Sequence, residues 1–138
     1  MSGARRKARI LALQVLYEVD SSSHEWQPTL ERAIEEGNLG KEGEGLARLI
    51  LADVMAHRDE ADELIATHAP QHPVTQLSAV DRNILRIAIC EISFNNRTPP
   101  KVAINEAVEI AKVFGSDTLH RFVNGVLGSV MGATVPKA

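Results

Sequence analysis

Helical periodicity fills nearly every segment of this 138-residue chain, and that property leaves little room for anything but an all-α fold. The breaks fall at Ser21 to Ser23, Pro28, Gly37 to Gly45, Pro70 to Pro73, Asn95 to Pro100 and Gly115. The first helix is predicted from about Ala4 to Asp20, with Leu13, Leu16 and Val19 on one stripe and Ala12 and Val15 beside them. A short helix follows Pro28, burying Leu30, Ala33 and Ile34, with the proline in its first turn. Beyond a glycine-rich loop, Leu46, Leu49, Ile50, Val54, Leu64 and Ile65 mark one long helix or two abutting ones.

The stretch Ile84 to Ile92 has the look of a strand. Its apolar character extends from Leu77 to Phe94, however, too long for a typical strand, and Ser78 with Asp81 reads as a variant capping box. A helix buried on most sides is therefore expected, acting as the hub of the fold. Thr98 is expected to cap the next helix, with Pro99 and Pro100 in its first turn and Ala103, Ala107, Ile110, Ala111 and Phe114 on its inner face. Glu106 and Glu109 then fall on the solvent face. Gly115 is predicted to be a left-handed stop, Ser116 and Asp117 open the last helix, and Phe122 is placed in its core. The total is six or seven helices with loops short enough to make neighbours antiparallel.

Apolar residues at 44% are enough for a core, and 24% charged residues exclude wholesale disorder. No apolar run approaches the roughly 20 residues of a membrane span, and the apolar stretch Ile10 to Val19 is interrupted by Gln14 and Glu18, unlike a signal peptide. One cysteine, Cys90, excludes an intrachain disulfide and suits a reducing, cytoplasmic setting. Length fits a single domain over residues 1–138. The net charge of −3 is unevenly spread: +4 over residues 1–10, −9 over 18–63 and +2 over 64–138. A basic tip on an acidic body attracts a polyanion to one place and repels it elsewhere.

That tip is Ala-Arg-Arg-Lys-Ala-Arg at 4–9. Helical spacing puts Arg5, Arg6 and Arg9 on one side, expected to be exposed and to contribute nothing to the core, so that replacing all three leaves the fold intact. Guanidinium forks match phosphate oxygens, and Tyr17 extends the surface with a ring for base stacking. A solvated N-terminal turn is the plainer alternative. Asp53, His57 and Glu60 share a helix face, but three ligands on one helix do not close a tetrahedral metal site, and Pro70 separates His68 from His72. No metal or other cofactor is expected. Cys90 sits in an apolar helix as a small core group, and no nucleophile elbow, paired-carboxylate motif or phosphate-cradling loop is present, so an enzyme is not expected. Gly125 is expected at a close helix–helix contact.

Three blocks carry a family resemblance. Lys101-Val-Ala-Ile-Asn-Glu-Ala-Val-Glu-Ile-Ala-Lys-Val-Phe-Gly115 with His120-Arg-Phe-Val-Asn-Gly-Val-Leu127 resembles the C-terminal signature of the NusB family of bacterial transcription antitermination factors. Arg5 to Arg9 with Ala12 to Tyr17 resembles its arginine-rich motif and first helix, and Val80 to Ala88 followed by Glu91 its central helix. Ile10, Cys90 and Gly128 depart from the pattern, where the family often has an acid, an aromatic and an aspartate. Gly128 is expected to let the last helix fray after Leu127.

The resemblance implies two packed three-helix bundles. It also implies binding of single-stranded boxA-type RNA from ribosomal RNA leaders, together with the small-subunit ribosomal protein NusE, within an RNA polymerase antitermination complex. By the same resemblance Arg5, Arg6, Lys7, Arg9 and Tyr17 contact RNA, and Asp81 and Arg82 lie near the docked ribosomal protein. Lys112 and Arg121, near the Gly115 turn, are the next candidates for the RNA surface. Family members occur as monomers and as homodimers, and a dimer built over the arginine end would hide the RNA surface. Two other readings stay open. One is a relative of the N-terminal part of ribosomal RNA cytosine methyltransferases, although a chain stopping at Ala138 has no room for a cofactor-binding domain. The other is a protein-interaction module whose basic end meets acidic protein.

Overall fold

A computed structural model describes residues 3–95, 97–115 and 119–134. Six α-helices account for most of them: α1 (Gly3–Ser21), α2 (Trp26–Gly37), α3 (Gly40–His68), α4 (Ala79–Cys90), α5 (Pro100–Phe114) and α6 (Leu119–Thr134). A 3₁₀ turn, Val74–Gln76, precedes α4, and a π-helical turn, Glu91–Asn95, continues it. There is no strand among the described residues.

The helices form two three-helix bundles. In the first, α1 packs on α2 and α3; in the second, α4 packs on α5 and α6, and α4 also touches α1 and α3. The reason lies in the apolar spacing. Ala8, Leu11, Ala12, Val15 and Leu16 give α1 one buried stripe, whereas α4 is buried continuously from Asn83 to Cys90. The strand-like stretch is thus the central helix, and its first turn is fixed by Ser78 Oγ accepting the Asp81 N–H at 3.1 Å. The buried apolar side chains of both bundles join in one cluster.

Several local expectations are corrected. The glycine-rich break contracts to a reversal at Asn38 (φ 54°) and Leu39, and Gly43 and Gly45 already belong to α3. That helix bends at His57 (φ −120°, ψ 18°), where the ring stacks on Phe94 at 4.5 Å and its Nδ1 lies 2.9 Å from Glu60. Pro99, not Thr98, is the N-cap of α5. Gly115 is extended (φ −91°, ψ −178°) and not left-handed; a Cβ there would meet the Leu119 side chain and stand 2.8 Å from the Ala111 carbonyl, so space demands the glycine. Ser116 and Asp117 lie outside the described residues.

In α6, Gly125 is exposed, with open space where a Cβ would be, so it is no packing contact. Phe122 is only partly buried, edge-on to His72 at 4.8 Å. The helix passes Gly128 and runs on to Thr134, because Val126, Leu127 and Val130 are anchored in the core.

Candidate nucleic-acid interface

The first two turns of α1 present Arg5 and Lys7 outward, with Arg6 half-exposed between them. Arg5 Nε donates to Glu42 Oε1 of α3 at 3.1 Å. Arg6 donates through Nε at 3.1 Å and Nη2 at 2.5 Å to the Glu106 carboxylate, leaving part of its guanidinium in solvent.

Arg9 contradicts the expectation of a shared exposed side. It is 2% exposed, and its fork donates to Glu91 at 2.9 and 2.8 Å, with Nη1 3.9 Å from Glu106. The physical reason is register: Arg9 precedes Ala12, Leu13 and Leu16 by three, four and seven residues, which puts it on the stripe that faces the core. Burial alone would lower its pKa, but the hydrogen bonds and charge of Glu91 outweigh that and raise it, so the guanidinium stays ionised. Glu106, expected in solvent, is 1% exposed for the matching reason: it follows Ala103 by three residues on the inner face of α5. Arg6, Arg9, Glu91 and Glu106 thus form one ionic network that ties the tip of α1 to both α5 and the end of α4.

Tyr17 is 48% exposed, two turns beyond Arg9. Lys112 and Arg121 are exposed and line a groove between α5 and α6 together with Lys101, His120 and Asn124. Lys112 is 3.3 Å from Glu109. Lys101 and Asn124 are ordinary polar positions on two amphipathic helices, and nothing in their spacing marks them as groove residues.

At the other end of α1 the charge reverses. Asp20 accepts from Arg82 at 2.7 Å, Asn83 at 3.0 Å and Arg86 at 3.2 Å, and Arg86 is in turn held by Asp62 through two bonds of 2.8 Å. Arg82 is therefore committed to the fold, while Asp81 is partly exposed beside it. Asp59 and Glu63 join Asp20 and Asp62 along the adjoining cleft, a surface that repels a polyanion. Among the described residues no group of three or more His, Cys, Asp or Glu is placed to hold a metal ion, and no helix is long and apolar enough to cross a membrane.

This architecture defines a class of small, two-bundle, all-helical proteins whose first helix carries an arginine-rich tip. The chain belongs to the NusB family, whose model matches residues 6–132. It is 48% identical to the transcription antitermination protein NusB of Dehalococcoides mccartyi (strain CBDB1), with 100% of this chain and 96% of that protein covered. It is 44% identical to the protein of that name from Roseiflexus sp. (strain RS-1), with 95% and 94% covered. Among solved structures, T. maritima NusB matches with a TM-score of 0.88 at 30% identity, over 99% of this chain and 96% of that one. A chain from a complex of the antitermination factors NusB and NusE with double-stranded RNA matches with a TM-score of 0.87 at 28% identity, over 96% and 99%.

Proposed function

We propose that this chain is a transcription antitermination factor that binds boxA-type RNA of ribosomal RNA leader transcripts together with the ribosomal protein NusE. The complex then acts on RNA polymerase to suppress premature termination. The observation that carries the reading is the cationic tip of α1, with Arg5, Arg6 and Lys7 at the surface of a NusB-family fold. A related NusB was solved with NusE and double-stranded RNA, which supports both partners. Arg5, Arg6 and Lys7 supply phosphate contacts, Tyr17 stacks on a base, and Arg9 acts indirectly by holding the tip in place. Lys112 and Arg121 extend the surface, and Asp81 beside the anchored Arg82 marks the ribosomal-protein side. The work is done by binding in the cytoplasm and not by catalysis. Cys90, the one thiol, is pushed up to about 12 by burial and the nearby carboxylates, so it is no nucleophile at neutral pH.

The test is a titration of a uridine-rich single-stranded RNA, and a duplex of equal length, against the wild type and an Arg5→Ala/Lys7→Ala variant. Affinity of the variant should fall, and its dependence of log affinity on log salt should flatten by about 0.7 for each lost single-strand phosphate contact. Tyr17→Ala should weaken binding by about 1–3 kcal/mol with the salt slope unchanged. A folded Arg5→Ala/Lys7→Ala variant with unchanged affinity and slope removes the tip from the RNA site.

A further inference from the structure

Beside the arginine tip lies a groove that belongs to three parts of the fold at once. It has a volume of about 420 Å³ and is bounded by the first turns of α1, the first turns of α3 and the segment before α5. That size falls within the range of roughly 300–1,000 Å³ typical of small-ligand clefts. Its cations come from all three sides: Arg5 from α1, Lys41 from α3 and Arg97 from the third segment, where Thr98 adds a hydroxyl. Arg9 and Glu91 also line the groove and neutralise each other. Glu42, on the rim, answers Arg5. Among the residues that line it, four cations stand against two carboxylates, on a molecule whose net charge is −3. One wall is apolar, made of Leu46 and Leu49, both partly exposed. Gly45 stands on the same helix, exposed, with nothing within 4 Å of where its Cβ would be.

We propose that this groove seats one nucleotide of the bound RNA, its phosphate on Lys41 and Arg97 and its base against Leu46 and Leu49. A cationic rim over an apolar wall is complementary to a nucleotide, which is anionic at one end and has a broad weakly polar face at the other. Continuity favours the same strand that meets the tip, because Arg5 borders both surfaces. The acidic cleft at the far end of α1 closes off that direction, so a strand leaving the tip is drawn toward Lys41 and Arg97. The proposal rests on the reading of the chain as an RNA-binding protein, and it adds α3 and the segment before α5 to the interface.

The experiment uses the full chain with NusE and a short uridine-rich single-stranded RNA carrying 4-thiouridine. Two groove variants act by different means: Lys41→Ala/Arg97→Ala removes charge, and Gly45→Gln fills the groove from an open helical position. The charge variant should lose on the order of tenfold in affinity and flatten the salt slope by about 0.7 per contact. Gly45→Gln should weaken binding with its slope unchanged. Photo-crosslinks should map to the residue ranges 41–49 and 97–98. If an Arg6→Gln/Lys7→Ala control loses affinity while both groove variants bind as the wild type and no crosslink reaches these ranges, the groove is excluded and the RNA-binding reading stands. If the wild type binds neither this RNA nor its duplex, both fall together.

Discussion

Arg9 and Glu91 hold each other below the surface, so removing one partner leaves the other as an uncompensated buried charge. Arg9→Ala should therefore cost about 3–5 kcal/mol in urea unfolding; a loss below about 1 kcal/mol would assign the pair the value of an exposed one. Replacing Arg9 and Glu91 together by methionine should recover much of that loss. Cys90, with its thiol pushed up to about 12, should resist iodoacetamide at neutral pH until the protein unfolds; alkylation of the native protein would contradict the buried placement. The buried network was legible in principle but not by composition. Arg9, Glu91 and Glu106 each stand in apolar register on a different helix, and opposite charges in core register are a signal of internal pairing. A cluster of arginines read as one exposed patch obscures it. Nothing in the spacing says which carboxylate meets which guanidinium, since that depends on how α4 and α5 cross α1.

At the scale of elements, the α1 stripe and the buried α4 are readable because their apolar periods are long. Loop geometry is not. Gly115 announces a stop, yet whether its handedness or its lack of a Cβ matters depends on Leu119 and Ala111 in three dimensions. Gly115→Ala should cost about 1–3 kcal/mol by thermal or urea unfolding, through crowding and not backbone strain; no loss would mean that the α5–α6 corner relaxes freely. The C-terminal end of α1 has its own signature. Burial raises the Asp20 pKa, but hydrogen bonds from Arg82 and Asn83 and the charge of Arg86 more than offset this and lower it. A depressed folded pKa gives stability that is present above the unfolded value near 4 and lost as pH falls through the folded one. Unfolding experiments should show acid destabilisation setting in below about pH 4, and Asp20→Asn should be less stable at neutral pH with a flatter response to acid. An unaltered acid response would place Asp20 outside the linkage.

For the whole molecule, the segregation of charge into a basic tip and an acidic cleft predicts that RNA alone binds weakly and that NusE tightens it. Ordering a strand costs entropy, which a partner that adds contacts offsets. Equal affinity with and without NusE in a paired titration would count against this. The two-bundle plan is implied by the family resemblance, whereas the residues alone give only helix number, because periodicity does not say which helices share a bundle. The ionic network around the tip also bears on how the protein comes into being. Arg9 waits 82 residues for Glu91, and Arg6 waits 100 for Glu106. During synthesis from the N-terminus the tip is made first and its partners late, and such distant contacts close only after the loop between them can. Arg9 therefore leaves the ribosome as a bare cation until Glu91 follows at the end of α4, and Arg6 until Glu106 follows in α5. Until then the nascent segment is a short basic peptide that lacks these two carboxylates, so the ionic network at the tip is completed only after α5 has been made.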